Sequence, residues 1–128
     1  MKTNERYIRL VQLGWSLDVL KNMSCLVLGA GALGNEVIKN LALLGVGSIV
    51  VIDMDTIEDS NLTRSVLFRE RDIGKSKAAV AAERAMEIDQ STRVIPIVGE
   101  FQRLLGLGTF YDFDVVFGCL DNIQARID

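Results

Sequence analysis

"SCLVLGAGALGNEV" (residues 24–37) decides the fold. An unalternating apolar run, Ser24 to Leu28, meets a Gly-x-Gly-x-x-Gly turn made by Gly29, Gly31 and Gly34, and the residues that follow favour a helix. A strand that enters such a turn and a helix that leaves it place backbone N–H groups around an anion, most often a nucleotide phosphate. Glycines in a tight strand-to-helix turn also serve packing alone, so the turn needs support from elsewhere in the chain. The choice it opens is between a redox dinucleotide and a nucleotide that is broken as substrate.

Downstream, residues 32–44 carry Leu33, Val37, Leu41 and Leu44 at helical spacing, and Gly45 and Gly47 end that helix. "SIVVID" (48–53), "RVIPIV" (93–98) and "DVVFGC" (114–119) read as three further strands. The alanine-rich segment 74–89 and the weaker segment 101–110 read as helices between them. Residues 54–72 are polar, lack sustained periodicity and read as a functional loop with one short turn. Ahead of the glycine turn, residues 3–22 read as one or two short amphipathic helices broken near Gly14, with Ile8, Val11 and Trp15 on one face. The order β-α-β-α-β-α-β with unalternating apolar strands predicts an α/β, doubly wound (Rossmann-like) parallel sheet in the order 3-2-1-4. Pro96 assigns the third strand to an edge or to the beginning of pairing. Residues 1–22 are then an N-terminal helical extension, and 23–128 one nucleotide-binding domain. "LDNIQARID" begins a further helix, so the sheet reads as the first half of a larger domain, with an open edge at its fourth strand that favours self-association.

Bulk properties exclude several classes. The chain has 128 residues, 49% of them apolar, and Pro96 is its one proline, which argues for a single folded domain. With 14 basic against 17 acidic residues and no basic stripe, nucleic acid is not the expected partner. Histidine is absent, which removes the commonest general base and any His-based metal site. "MKTNERYIRL" does not resemble a signal peptide and no apolar run reaches the roughly 18 residues of a membrane span, so a cytoplasmic protein is expected. Cys25 lies near the start of one strand and Cys119 just past the end of a parallel neighbour, an offset of about 13 Å at about 3.3 Å per residue. Disulfides need Cα atoms within roughly 7 Å, so both are expected to be buried thiols.

The chemistry gathers after the second strand. Asp53 stands nineteen positions beyond Gly34, the spacing at which a carboxylate meets a ribose hydroxyl. "DMDTIEDSNLTR" then brings three further acids with Asn61 and Arg64, both phosphate-binding types. Lys75 and Lys77 fall in the expected first turn of the next helix, where a lysine opposes the helix dipole by about 0.3–1 kcal/mol unless an anion is bound. The bland alternative is that both lysines are simply solvated. Asp121 ends the fourth strand at the switch point of the sheet, where a carboxylate assists a phosphate only through Mg²⁺, or else caps the last helix. A nicotinamide dinucleotide does not need so many cationic and amide groups beyond the first βαβ unit. A triphosphate does, which favours ATP.

"GAGALG", "VIDMDTIEDSNLTR", "DIGKSKAAVAAE" and "CLDNIQAR", in this order and spacing, resemble the adenylation domain of ubiquitin-activating enzymes and of the bacterial adenylyltransferases that activate sulfur-carrier proteins. The resemblance runs from about residue 5 to the last residue. It implies that Asp53 holds the ATP ribose, that Asn61, Arg64 and Lys77 contact the phosphates, and that Asp121 binds Mg²⁺ with Asn122 beside it in the nucleotide site. It also implies that Arg9, in "RYIR", reaches the γ-phosphate bound to a partner subunit, hence a homodimer or a heterodimer with a related subunit. The implied reaction joins AMP to the C-terminal glycine of a ubiquitin-like or sulfur-carrier protein ending in Gly-Gly, releasing pyrophosphate. Two departures from the family pattern are Ser65, where Gln usually follows the arginine, and Ala32 after Gly31. The family's thioester cysteine, zinc-binding Cys pairs and most of its carrier-protein surface lie beyond a point matching Asp128. The alternatives are a non-catalytic, ATP-binding partner subunit of such an enzyme and, more remotely, an NAD-dependent oxidoreductase domain.

Overall fold

Four parallel strands form one sheet: β1 (Ser24–Leu28), β2 (Ser48–Ile52), β3 (Arg93–Ile97) and β4 (Val115–Gly118), in the spatial order β3-β2-β1-β4. The computed structural model describes residues 17–100 and 113–119. A short helix α1 (Leu17–Lys21) precedes β1, α2 (Ala32–Leu44) links β1 to β2, and α3 (Lys77–Ile88) precedes β3. The expected helix over 101–110, most of the N-terminal extension and the segment after Cys119 lie outside the described residues. Strand order and parallel sense are those expected from the sequence. Pro96 lies in β3, an edge strand among the described residues, and stands opposite Val51.

Side chains leave the sheet alternately, and both faces are apolar, which is why the strands read as unbroken apolar runs. Cys25, Val27, Ile49, Val51 and Val94 point to the face covered by α2 and α3, where they meet Ile38, Leu41, Ala42 and the alanines of α3. Leu26, Leu28 and Ile52 point to the opposite face with Val50, Ile97, Phe113 and Val116. In α3 the small residues Ala78, Ala81, Ala82 and Ala85 are buried, so the helix backbone lies close to its neighbours.

Two helix expectations are corrected. The face that α2 buries is Gly34, Asn35, Ile38, Leu41 and Ala42, while Leu33 is exposed. Leu33 matched the helical spacing, but at about 100° per residue it lies on the far side of the helix from Ile38 and Ala42. Helix α3 starts at Lys77 and not at residue 74: Ser76 is its N-cap, with the hydroxyl accepting from Ala79 N at 3.2 Å. Lys75 therefore precedes the helix instead of belonging to its first turn. The polar segment 54–72 holds two short 3-10 turns, Asp59–Asn61 and Glu70–Asp72, where one was expected.

Cys25 is paired in register with Val115, four positions before Cys119, and no disulfide joins the two buried thiols. Among the described residues, no helix is long and apolar enough to cross a membrane.

Candidate functional site

The glycine turn leaves the carboxyl end of β1, between β2 and β4, where the order of the sheet reverses and open α/β sheets bind ligands. Gly29 has φ of 104°, a left-handed conformation that a side chain would disfavour, and its N–H donates to Ile52 O at 2.8 Å. A Cβ on Gly34 would stand 2.0 Å from Gly29 O, so only glycine lets α2 close on the turn. Gly31 is the N-cap of α2 and supplies no side-chain bond to the helix. The first intrahelical bond runs from Asn35 N to Gly31 O at 2.8 Å. The opening N–H groups of α2 thus lack a capping side chain, an arrangement that a bound anion completes.

Asp53 follows β2 directly and is tied to this turn. Its Oδ2 accepts from Ala30 N at 2.7 Å, and its Oδ1 accepts from Asp55 N at 2.7 Å. The carboxylate therefore sits against the glycine turn itself, half-buried, with lone pairs still available to hydroxyl donors.

The two ends of the polar loop are stitched together. Thr56 and Ser76 form an isolated antiparallel bridge, Ile57 N donates to Lys75 O at 2.8 Å, and Gly74 N donates to Ile57 O at 2.8 Å. Lys77 N donates to Asp55 O at 3.0 Å, so the start of α3 is held two residues from Asp53. The Lys77 side chain is only 12% exposed, with Nζ 4.0 Å from Asp55 Oδ2. Most of the Lys77 side chain is therefore covered. Lys75 is exposed.

Asn61 closes the first 3-10 turn, its Oδ1 accepting from Glu58 N at 2.7 Å. Asn61 O accepts from both Arg64 N at 3.3 Å and Ser65 N at 3.1 Å, which fixes the backbone under Arg64. The Arg64 side chain is exposed and makes no ion pair among the described residues. Ser65, in place of the usual Gln, is buried. Farther along, Asp72 is buried and both its oxygens lie 2.9 Å from Arg84 Nη2, while Oδ2 also accepts from Arg69 N at 2.8 Å. This pair pins the loop to α3 just ahead of Lys75–Lys77. Losing one partner of a buried pair costs about 3–5 kcal/mol.

The structure thus gathers Gly29, Gly31, Gly34 and Asp53 at one place, holds Lys77 beside them through Asp55, and leaves Asn61 and Arg64 on the adjoining loop. Arg9, Asp121 and Asn122 lie outside the described residues. One residue was missed from the sequence. Asn35, fully buried in α2, donates through Nδ2 to Ala30 O at 2.8 Å and to Gly31 O at 2.9 Å, and accepts at Oδ1 from Leu67 N at 3.0 Å. The one available signal was an amide side chain immediately after the last glycine of the turn.

Residues 6–128 match the sequence profile of the ThiF family. The chain belongs to the ThiF family. Among curated relatives, this ThiF-family chain is 42% identical over 126 residues to SUMO-activating enzyme subunit 2 of Dictyostelium discoideum, covering 96% of itself and 19% of that protein. It is 46% identical over 113 residues to the NEDD8-activating enzyme E1 catalytic subunit of Caenorhabditis elegans, covering 87% of itself and 26% of the relative. The ThiF-family chain thus spans about a fifth to a quarter of the length of these relatives. Among solved structures it resembles Escherichia coli MccB with ATP, at TM-score 0.70 and 38% identity over 76% of this chain and 32% of that one. It also resembles E. coli tRNA N6-threonylcarbamoyladenosine dehydratase, TcdA, in complex with ATP, at TM-score 0.81 and 25% identity over 93% of this chain and 50% of that one.

Proposed function

We propose that this chain is the nucleotide-binding part of an E1-like enzyme that uses ATP and Mg²⁺ to adenylate the C-terminal glycine of a ubiquitin-like or sulfur-carrier protein ending in Gly-Gly. The observation that carries the reading is the bond between the Asp53 carboxylate and Ala30 N inside the glycine turn, with the covered Lys77 held next to it. Relatives that activate SUMO and NEDD8, and the ATP complexes of MccB and TcdA, support the same assignment.

In this reading Asp53 accepts from the ribose hydroxyls, and the turn with the uncapped start of α2 receives a phosphate. Asn61, Arg64 and Lys77 neutralise charge on the remaining phosphates, with Lys75 at the rim. Asp121 would supply the carboxylate that holds Mg²⁺, which would offset phosphate charge there, and Asn122 follows it in the chain. Arg9 serves the site of a partner subunit in a dimer. The carrier carboxylate forms its bond to the α-phosphorus as the α–β phosphoanhydride breaks and pyrophosphate leaves. No protein nucleophile is required, so the chain contributes positioning and electrostatic stabilisation. Replacing Arg64 or Asp121 by alanine should lower adenylation about 10²-fold.

Calorimetric titration with ATP–Mg²⁺ and with NADH, followed by ATP–pyrophosphate exchange by the full-length protein with a Gly-Gly carrier protein, tests the proposal. ATP uptake and carrier-dependent exchange are expected. Uptake without exchange identifies a non-catalytic binding module, and NADH uptake with indifference to ATP sinks the nucleotide assignment.

A further inference from the structure

The Asn35 carboxamide joins two parts of the site that the backbone does not connect directly. On one side it holds Ala30 O and Gly31 O of the glycine turn, and on the other Leu67 N of the polar loop, at 2.8, 2.9 and 3.0 Å. Ala30 is also the residue whose N–H binds Asp53 Oδ2 at 2.7 Å. A linked set of bonds therefore runs from the Asp53 carboxylate through the two peptide groups that flank Ala30 Cα and the Asn35 amide to Leu67. Leu67 is three residues from Arg64, and between them Ser65 is buried and its backbone is bonded back to Asn61 O at 3.1 Å.

We propose that Asn35 is a positioning residue that sets the register of the loop bearing Asn61 and Arg64 against the glycine turn, and so determines how well the outer phosphates of ATP are held. The proposal rests on the ATP reading of the site. Few side chains satisfy this position. The amide uses two donor bonds and one acceptor bond while fully enclosed, and two of its partners, Ala30 O and Leu67 N, are backbone groups in buried bonds that are costly to orphan. Leucine has a similar volume but leaves Ala30 O and Leu67 N without this partner. Aspartate keeps the acceptor for Leu67 and turns an oxygen toward two carbonyl oxygens.

The role separates from plain structural support because AMP and ATP use different parts of the site. AMP needs the glycine turn and Asp53, while the outer phosphates of ATP need the loop. In Asn35→Leu and Asn35→Asp, with folding checked by circular dichroism, the ATP-over-AMP preference measured by calorimetry should fall about tenfold, beyond whatever loss of affinity AMP and ATP share through the glycine turn. Amide exchange at Leu67 should accelerate in Asn35→Leu even without nucleotide. Combined with Arg64→Ala, Asn35→Leu should add little further loss, because both changes act on one contact set. Equal loss of AMP and ATP, full additivity with Arg64→Ala, or unfolding of both Asn35 variants would overturn the proposal. A wild-type chain that takes up neither nucleotide defeats the ATP reading, while Leu67 exchange still reports whether the tether exists.

Discussion

Lys77 and Lys75 are two residues apart and have opposite surroundings. The Lys77 stem is packed away beside Asp55, whereas Lys75 is in solvent. A charge-assisted hydrogen bond contributes about 1.5–3 kcal/mol, so Lys77→Ala should weaken ATP binding about 10- to 100-fold in calorimetry, and Lys75→Ala should change it much less. Equal effects from the two lysines would contradict the assignment. Cys25 supplies a prediction about pH. Burial, and then the negative charge of Asp114, push its thiol from 9.0 up to about 11. A raised pKa means that the native state keeps a proton which the unfolded chain releases. The associated stability is fully present below about pH 9 and is lost as pH rises toward 11, by about 3 kcal/mol at most. Urea denaturation at pH 8 and pH 10.5 should show a larger drop for the wild type than for Cys25→Ala. At this scale Asp53 was legible because its spacing from Gly34 is set by the βαβ unit. Asn35 was not, because its decisive partner Leu67 is 32 residues away.

The elements were legible where their signal is local. Strands buried on both faces appear as apolar runs, and all four have bounds within one residue of the expected segments. Helix α3 began three residues later than expected because a hydroxyl-to-amide bond, Ser76 to Ala79, competes with helix propensity and fixes the start. The bridge from Thr56 to Ser76 left no periodic trace, since it is a tertiary contact of two loop ends. Gly34 tests how tightly helix and turn are joined. A methyl group at this position would meet the Gly29 carbonyl oxygen at 2.0 Å and its carbon at 2.9 Å, both rigid backbone atoms, so Gly34→Ala must push α2 away from β1. Overpacking of this kind costs about 1–3 kcal/mol, and here it also moves the N–H groups that would face a phosphate. Gly34→Ala should lower the unfolding free energy by that amount and remove most nucleotide affinity. A folded variant that retains wild-type ATP binding would show that the close approach serves packing alone.

Across the whole molecule, the site is assembled from segments that are distant in sequence and meet only at the carboxyl ends of the parallel strands. Gly29 follows β1, Asp53 follows β2, and the start of α3 is brought to them by the stitched loop. Strand order was predictable from right-handed crossovers, and from it the meeting of the glycine turn with Asp53 at one sheet edge, although not the hydrogen bonds that hold them. A ligand that bridges these segments binds only the folded state and must therefore stabilise the entire domain. At a free concentration of 100 times the dissociation constant this linkage is about 2.7 kcal/mol, which for a domain of this size raises the melting temperature by about 10 °C. ATP with Mg²⁺ should produce that shift in a thermal melt, and AMP at the same concentration a smaller one, because AMP leaves the loop of Asn61 and Arg64 unengaged. NADH should leave the melting temperature unchanged. A shift with NADH that ATP does not reproduce would place a redox dinucleotide on the glycine turn, and the cations around it would then need another explanation.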